Sequence, residues 1–313
     1  MPSKRNDGQE KFVKEATLRR SLHFVPGANE KMFLKSLATN ADSLILDLED
    51  AVTPKNKAQA RMTIRDWLKT ADFGLKEKTV RINPLDTPWG LDDVEVVMQG
   101  KPDALVVPKV SSLEELEQLD EIMLKNEKEL KLEPLSVGLI LITTETPASI
   151  INLPTFTQCK RVSALSWGAE DLAAALGSAR NRGPDGSYLE VYKHCRNMTL
   201  ISAAAGGVQP IDTVFVDFKN KIGLEKDCQE AAWMGYTGKM TIHPDQIDLV
   251  NIAFSPTKEE IEKAKRLVEA FAAAEKEGLM AITFEGQMVD VPHLNRAKKL
   301  LSRSRMIHSS LNN

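Results

Sequence analysis

The stretch Val137-Gly138-Leu139-Ile140-Leu141-Ile142-Thr143-Thr144-Glu145-Thr146-Pro147 decides the fold. Residues Val137–Thr143 are apolar without alternation, the pattern of a strand buried on both faces. Such strands belong to parallel sheets, because the crossover that joins parallel neighbours is a helix that covers the sheet. Glu145 then stands at the strand's tip. A carboxylate there is costly unless it binds something or caps the next helix, and both readings stand at this point.

The same unit recurs on either side. Strands are expected at Ser21–Val25, Ser43–Leu48, Thr79–Asn83, Ala104–Pro108, Val162–Ser166, Gln209–Thr213 and Thr237–Ile242. Amphipathic helical spacing lies between them, clearest over Ser112–Leu130 and Tyr188–Ala205. Eight strand–helix units predict an α/β fold, a (βα)8 TIM barrel, with an open doubly wound sheet as the alternative. The chain has 313 residues, and a barrel takes roughly 250. Residues 1–17 read as a flexible arm and 18–255 as the barrel. Residues 256–313 read as a C-terminal helical extension with a lid segment. Thr257 and Glu260 form a capping box that opens a helix to about Lys276, and a last helix starts at Pro292.

Hydrophobic residues make up 42% and charged residues 27%, with a formal net charge of −3. This balance points to no nucleic-acid partner and no membrane surface. The three cysteines, Cys159, Cys195 and Cys228, form no CxxC pair, so neither a disulfide framework nor a zinc site is expected. A reducing, cytoplasmic setting follows, or the mitochondrial matrix if the source is eukaryotic. No P-loop and no GxGxxG is present.

In a parallel barrel, functional groups gather where strands end. The second strand ends in Asp47-Leu48-Glu49-Asp50, three carboxylates that need cations nearby; Lys57 and Arg61 follow. This group reads either as an ion-pair network at the rim or as part of a site. Arg81, near the end of the third strand, would fork onto a substrate carboxylate or pair with Asp47 or Glu49. The sixth strand leads into Trp167-Gly168-Ala169-Glu170-Asp171, where Gly168 allows close backbone approach. Glu145 and Asp171 on neighbouring loops make a hard-cation site suited to Mg²⁺ or Mn²⁺, unless Asp171 merely caps a helix. Asn29 begins the first helix after Val25-Pro26-Gly27, and Arg20 and Lys31 add positive charge for a phosphate-bearing ligand.

Taken in order, these motifs resemble the citrate lyase β-subunit-like family of acyl-CoA lyases. Arg20-Ser21-Leu22, Val25-Pro26-Gly27, Leu46-Asp47-Leu48-Glu49-Asp50, Val80-Arg81-Ile82-Asn83 and Val107-Pro108-Lys109-Val110 carry the likeness. So do Glu145-Thr146, Trp167-Gly168-Ala169-Glu170-Asp171, Gly238-Lys239 and Ile242-His243-Pro244. The resemblance implies a magnesium ion on Glu145 and Asp171 and contact of Arg81 with a substrate acid. The tail Phe284-Glu285-Gly286-Gln287-Met288-Val289-Asp290 resembles the stand-alone malyl-CoA and citramalyl-CoA lyase branch, to which the mammalian citrate lyase β-like protein belongs. It implies that Asp290 carries catalysis in a neighbouring subunit's site, within a trimer or hexamer that exchanges lids. Read from the residues alone, Asp290 is also a plausible N-cap of the last helix. The implied reaction is reversible Claisen-type cleavage of a 3-hydroxyacyl-CoA, citramalyl-CoA or malyl-CoA, to acetyl-CoA and a 2-oxo acid. The alternatives are a carrier-protein-dependent citryl lyase subunit, a malyl-CoA thioesterase, and a non-catalytic homologue that binds CoA or metal. His23 departs from the plain apolar residue of many relatives.

Overall fold

The computed structural model describes residues 17–27 and 29–311. The expected arm falls outside them except for Thr17, as does Ala28. Eight parallel strands, β1 (Ser21–Pro26), β2 (Ser43–Asp47), β3 (Glu77–Arg81), β4 (Ala104–Val107), β5 (Gly138–Thr143), β6 (Val162–Trp167), β7 (Gln209–Asp212) and β8 (Gly238–Thr241), form a closed barrel in sequence order. Pairing of Leu22 with Met240 across β1 and β8 closes it, which removes the alternative of an open sheet.

Strand alternation divides the apolar side chains into two sets. Leu22, Ile45, Val106, Ile140, Ile142, Ala164, Ile211 and Met240 fill the barrel. The other parity, including Leu44, Leu46, Val80, Leu105, Leu139 and Leu141, packs under the helices. This is why β5 shows no polar face: each of its sides meets a core.

The covering helices are α1 (Glu30–Leu37), α2 (Lys57–Thr70), α3 (Gly90–Val97), α4 (Leu113–Glu129), α5 (Pro147–Asn152), α6 (Glu170–Leu176), α7 (Glu190–Gly206), α8 (Lys221–Met234) and α9 (Ile247–Ala253). Local signals set their ends. Asn29 accepts the backbone N–H of Met32 at the start of α1, and Gly207, at φ 70°, ends α7 in the left-handed conformation.

The third strand begins two residues earlier than the sequence pattern suggests, at Glu77. Glu77 and Lys78 are charged and fall outside the expected span, but Glu77 is buried at the base of the barrel. There it accepts hydrogen bonds from Arg19 (2.6 and 2.8 Å) and Ser43 (2.7 Å). The buried charge is tolerated because it is paired.

Beyond the barrel, α10 (Lys258–Lys276) starts at the Thr257/Glu260 capping box. A hairpin of β9 (Ala281–Phe284) and β10 (Gln287–Asp290) follows, and α11 (Val291–Leu311) ends the described chain. Glu285 and Gly286 both take positive φ (48° and 77°), the requirement of a tight two-residue hairpin turn. Ala264, Leu267, Phe271, Val289 and Ala297 give this extension a small core of its own. Arg303 of α11 donates to the carbonyl of Thr237, just before β8, so the helix reaches the N-terminal end of the barrel. Among the described residues no helix is long and apolar enough to cross a membrane.

Candidate active site

A cavity of about 870 Å³ opens at the C-terminal ends of the strands, bordered by Phe24, Arg81, Ile142, Glu145, Trp167 and Asp171 among others. Its acidic wall begins on β2. Asp47 points inward and accepts two bonds from one face of Arg81, from Nε (2.6 Å) and Nη2 (2.7 Å). Arg81 also lies 2.7 Å from Glu49 and 3.6 Å from Asp50, and its guanidinium stacks over Phe24 at 4.7 Å. The Glu49 contact is an ion pair without hydrogen-bond alignment, since that oxygen, Oε2, has no hydrogen-bond partner. Arg81 therefore makes the ion pairs that the sequence offered as one of its two readings. It uses two of its five N–H groups in aligned bonds, both to Asp47.

Lys57 and Arg61 act one step away from these carboxylates. The Lys57 ammonium donates to the carbonyls of Leu48 and Glu49 (2.9 Å each) and to Asn83 Oδ1 (2.5 Å), fixing the loop backbone that carries Glu49. Arg61 pairs with Asp92 (2.9 Å) and Asp93 (2.8 Å) on α3. Asp93 in turn accepts the Asn83 backbone N–H at 2.9 Å. Asp50 is exposed at the cavity edge.

Glu145 is buried and follows Thr144, whose φ of 63° turns the chain sharply at the strand tip. Thr146 caps α5, accepting the backbone N–H of Ser149 at 3.1 Å, so Glu145 is not the helix cap. Burial pushes the Glu145 carboxyl up to about 8, and the charges of Glu49 and Asp171 push the same way. Asp171 does not cap α6 either: the capping position is Ala169, and Asp171 lies in the first turn. Gly168 sits against Glu145 so closely that a Cβ there would stand 2.4 Å from Glu145 Cγ.

Lys109, at the end of β4, joins these groups. Its backbone N–H donates to Glu145 Oε2 (2.7 Å). Its ammonium reaches Glu49 Oε1 (2.5 Å) and lies 3.1 Å from Asp171 Oδ1. In the sequence Lys109 stands out only as part of Val107-Pro108-Lys109-Val110. The available signal was its place just past a buried strand. Its φ of 56°, which aims both backbone and side chain at the carboxylates, is not readable from residue types.

His23 faces the cavity and lies 3.0 Å from Thr241 Oγ1; burial holds its imidazole down at about 4, so it is neutral. Lys31 stands exposed on the rim. Arg20 is not at the site. It precedes β1 and pairs with Asp42 (2.8 and 2.9 Å) and Ser255 (3.1 Å). Six strand residues, about 20 Å, separate the ends of β1, so a residue before the strand cannot join one after it. Asp290 does not border the cavity of its own chain; its carboxylate lies 2.6 Å from His293 Nδ1.

The residues present fit a divalent cation. Glu145 and Asp171 supply hard oxygens, and the site already draws an ammonium between carboxylates. Among the described residues no group of three or more His, Cys, Asp and Glu could hold a metal. An ion held by two carboxylates would keep positions for water and substrate.

An eight-stranded parallel barrel with an acidic, cation-compatible mouth defines a (βα)8 barrel with its candidate site in the usual place. The chain belongs to the HpcH/HpaI aldolase/citrate lyase family, whose model matches residues 20–244. It is 36% identical to the citrate lyase subunit beta of Escherichia coli over 289 residues, 92% of this chain and 94% of that one. It is 34% identical to a (3S)-malyl-CoA thioesterase of Cereibacter sphaeroides over 288 residues, 92% and 95% of the two chains. It is also similar to the protein CitE of Mycobacterium tuberculosis, solved with magnesium, acetoacetate and coenzyme A. That similarity has a TM-score of 0.75 at 30% identity and covers 92% of this chain and 99% of that one.

Proposed function

We propose that this protein is a magnesium-dependent acyl-CoA lyase that reversibly cleaves a 3-hydroxyacyl-CoA into acetyl-CoA and a small 2-oxo acid. The observation that carries the reading is the convergence of Glu145, Asp171 and Arg81 on one cavity at the barrel mouth. Glu145 and Asp171 would hold the ion. Bound there, it would lower the pKa of the substrate hydroxyl that becomes the 2-oxo group, whose proton would pass to water at the open cavity mouth. Arg81, anchored by Asp47 and stacked on Phe24, would present its remaining N–H groups to the acid carboxylate. Lys31, with Lys35 beside it on the rim, would meet the phosphates of CoA.

Cleavage leaves the electron pair of the C–C bond on the thioester as its enolate, and a positioned acid must protonate that carbon. We assign this to Asp290 of a neighbouring subunit in a homo-oligomer, a trimer or hexamer. Supporting this, α11 anchors at the N-terminal end of the barrel and Asp290 stays out of its own chain's cavity. The acid half is pyruvate, from citramalyl-CoA, or glyoxylate, from malyl-CoA. The two differ by one methyl, worth only about 1–3 kcal/mol in a pocket. Hydrolysis of malyl-CoA is a second reading, favoured by the 34% identical thioesterase. Dependence on a carrier protein is a third, favoured by the 36% identical citrate lyase subunit.

The deciding experiment incubates the protein with Mg²⁺ and acetyl-CoA, offers pyruvate and glyoxylate separately, and follows products by mass spectrometry with an EDTA control. A metal-dependent citramalyl-CoA or malyl-CoA peak is expected. Free malate from malyl-CoA would establish the thioesterase. No condensation with either acid, but turnover once the acyl group is on a carrier protein, would establish the citryl lyase subunit.

A further inference from the structure

Lys109 is held where a lysine is least comfortable. Its backbone is left-handed, at φ 56°, a conformation that side chains with a Cβ rarely adopt. In return, one residue delivers two donors. The backbone N–H binds Glu145 Oε2 at 2.7 Å, and the ammonium lies between Glu49 Oε1 (2.5 Å) and Asp171 Oδ1 (3.1 Å). The half-buried ammonium therefore bridges Glu49 and Asp171, and Asp171, with Glu145 beside it on the backbone N–H, would hold the divalent ion.

We infer that Lys109 is an exchangeable internal cation: its ammonium and the divalent ion compete for Asp171, and metal binding moves Lys109 onto Glu49 alone. The inference rests on the assignment of Glu145 and Asp171 as the metal ligands. The charge count requires a displacement. A divalent ion on Asp171 would stand within a few ångströms of the ammonium. Two such cations at about 4 Å repel strongly even at the effective dielectric of a protein surface. Glu49 offers the retreat. It lies 5% exposed, is anchored through Lys57 at its own carbonyl, and faces Arg81 on its other oxygen. With the divalent ion in place, the displaced ammonium stays beside the cavity mouth as a positive charge, next to where an anionic acid would lie. Lys109 is a positioning residue in this scheme, since its partners are the carboxylates.

The test is calorimetric titration of EDTA-treated full-length protein with MgCl₂, paired with thermal unfolding. Lys109→Met should bind Mg²⁺ at least about tenfold more tightly, because the competing charge is gone. It should also unfold at lower temperature when no divalent ion is added, since Glu49 and Asp171 lose the ammonium that bridges them. The double variant Lys109→Met/Glu49→Gln should recover most of that temperature and keeps the test available if the single variant folds poorly. Glu145→Gln serves as the control for the site itself. If Glu145→Gln abolishes Mg²⁺ binding while Lys109→Met binds no more tightly than the parent, the exchange is refuted and the metal site stands. If Glu145→Gln binds Mg²⁺ like the parent, the metal assignment fails and the exchange falls with it.

Discussion

Replacing Gly168 by alanine tests the geometry of the acidic site with the smallest available perturbation. The added Cβ would lie 2.4 Å from Glu145 Cγ, 3.0 Å from Oε1 and 3.1 Å from Cδ. Ordinary contacts begin at 3.4 Å, so the two groups must part by about an ångström. Neither side yields freely. The Gly168 backbone N–H is bound to the Thr143 carbonyl at 2.9 Å, and Glu145 is held by the Lys109 N–H at 2.7 Å. Overpacking of this kind costs about 1–3 kcal/mol, a fall in Tm of several degrees for a chain of this size. Displacing Glu145 by an ångström should also weaken Mg²⁺ binding by about tenfold or more, which is about 1.4 kcal/mol. Thermal unfolding and calorimetric titration measure both. Gly74→Ala is the control: Gly74 has φ 57° and nothing within 4 Å of the added carbon, so it should cost some stability and leave metal affinity alone. A Gly168→Ala protein with parental Tm and parental Mg²⁺ affinity would refute the placement of Glu145.

Three further outcomes follow from the same site. The Glu145 carboxyl is raised from 4.5 to about 8, so the folded protein keeps a proton that the unfolded chain has lost. Without divalent ions its contribution to stability falls as pH rises from about 4.5 to 8, and Mg²⁺, which must displace that proton, should stabilise more at higher pH. Unfolding curves with and without Mg²⁺ at about pH 6, 7 and 8 check the sign; a Mg²⁺ effect that shrinks with pH would contradict it. Arg81→Lys keeps one charge but loses the fork onto Asp47, and should lower stability by about 1–3 kcal/mol together with turnover, read by denaturant melts and the condensation assay. Asp290→Asn should cost about 10²–10⁴-fold in turnover and leave Mg²⁺ affinity unchanged. Mixing it with Glu145→Gln, after exchange of subunits, should restore part of the activity, and no recovery in mixed oligomers would argue against a shared site.

Much of this was legible from residue types and spacing. An apolar strand with no polar face requires a core on both sides, so the run before Glu145 announced a buried parallel strand, and seven similar runs announced the barrel. Because strand ends form the mouth of such barrels, Glu145, Asp171 and Arg81 could be placed there by position, and one cavity borders all three. Capping chemistry, which acts over three or four residues, fixed the starts of α1, α4 and α10. Local sequence also misled where the deciding contact was distant. Glu77 fell outside the expected strand, which began at Thr79, because its partner Arg19 lies 58 residues away. Arg20 read as a phosphate ligand because nearness in sequence to Asn29 hid the length of the strand between them.

The order and polarity of the strands, and hence which residues lie at the mouth of the barrel, are written in residue pattern alone, because hydrophobic periodicity is a local property of the chain. How the carboxylates are partnered emerges only when the loops are brought together in the fold. Arg81 is committed to Asp47, Arg61 to Asp92 and Asp93, and Lys57 to loop carbonyls, while Lys109 stands among Glu49, Asp171 and Glu145. The physical reason is that ion pairing depends on distances of a few ångströms between loops of different strands. Those distances are set by closure of the barrel and by the left-handed turns at Lys109 and Thr144, which no pattern of residue types records.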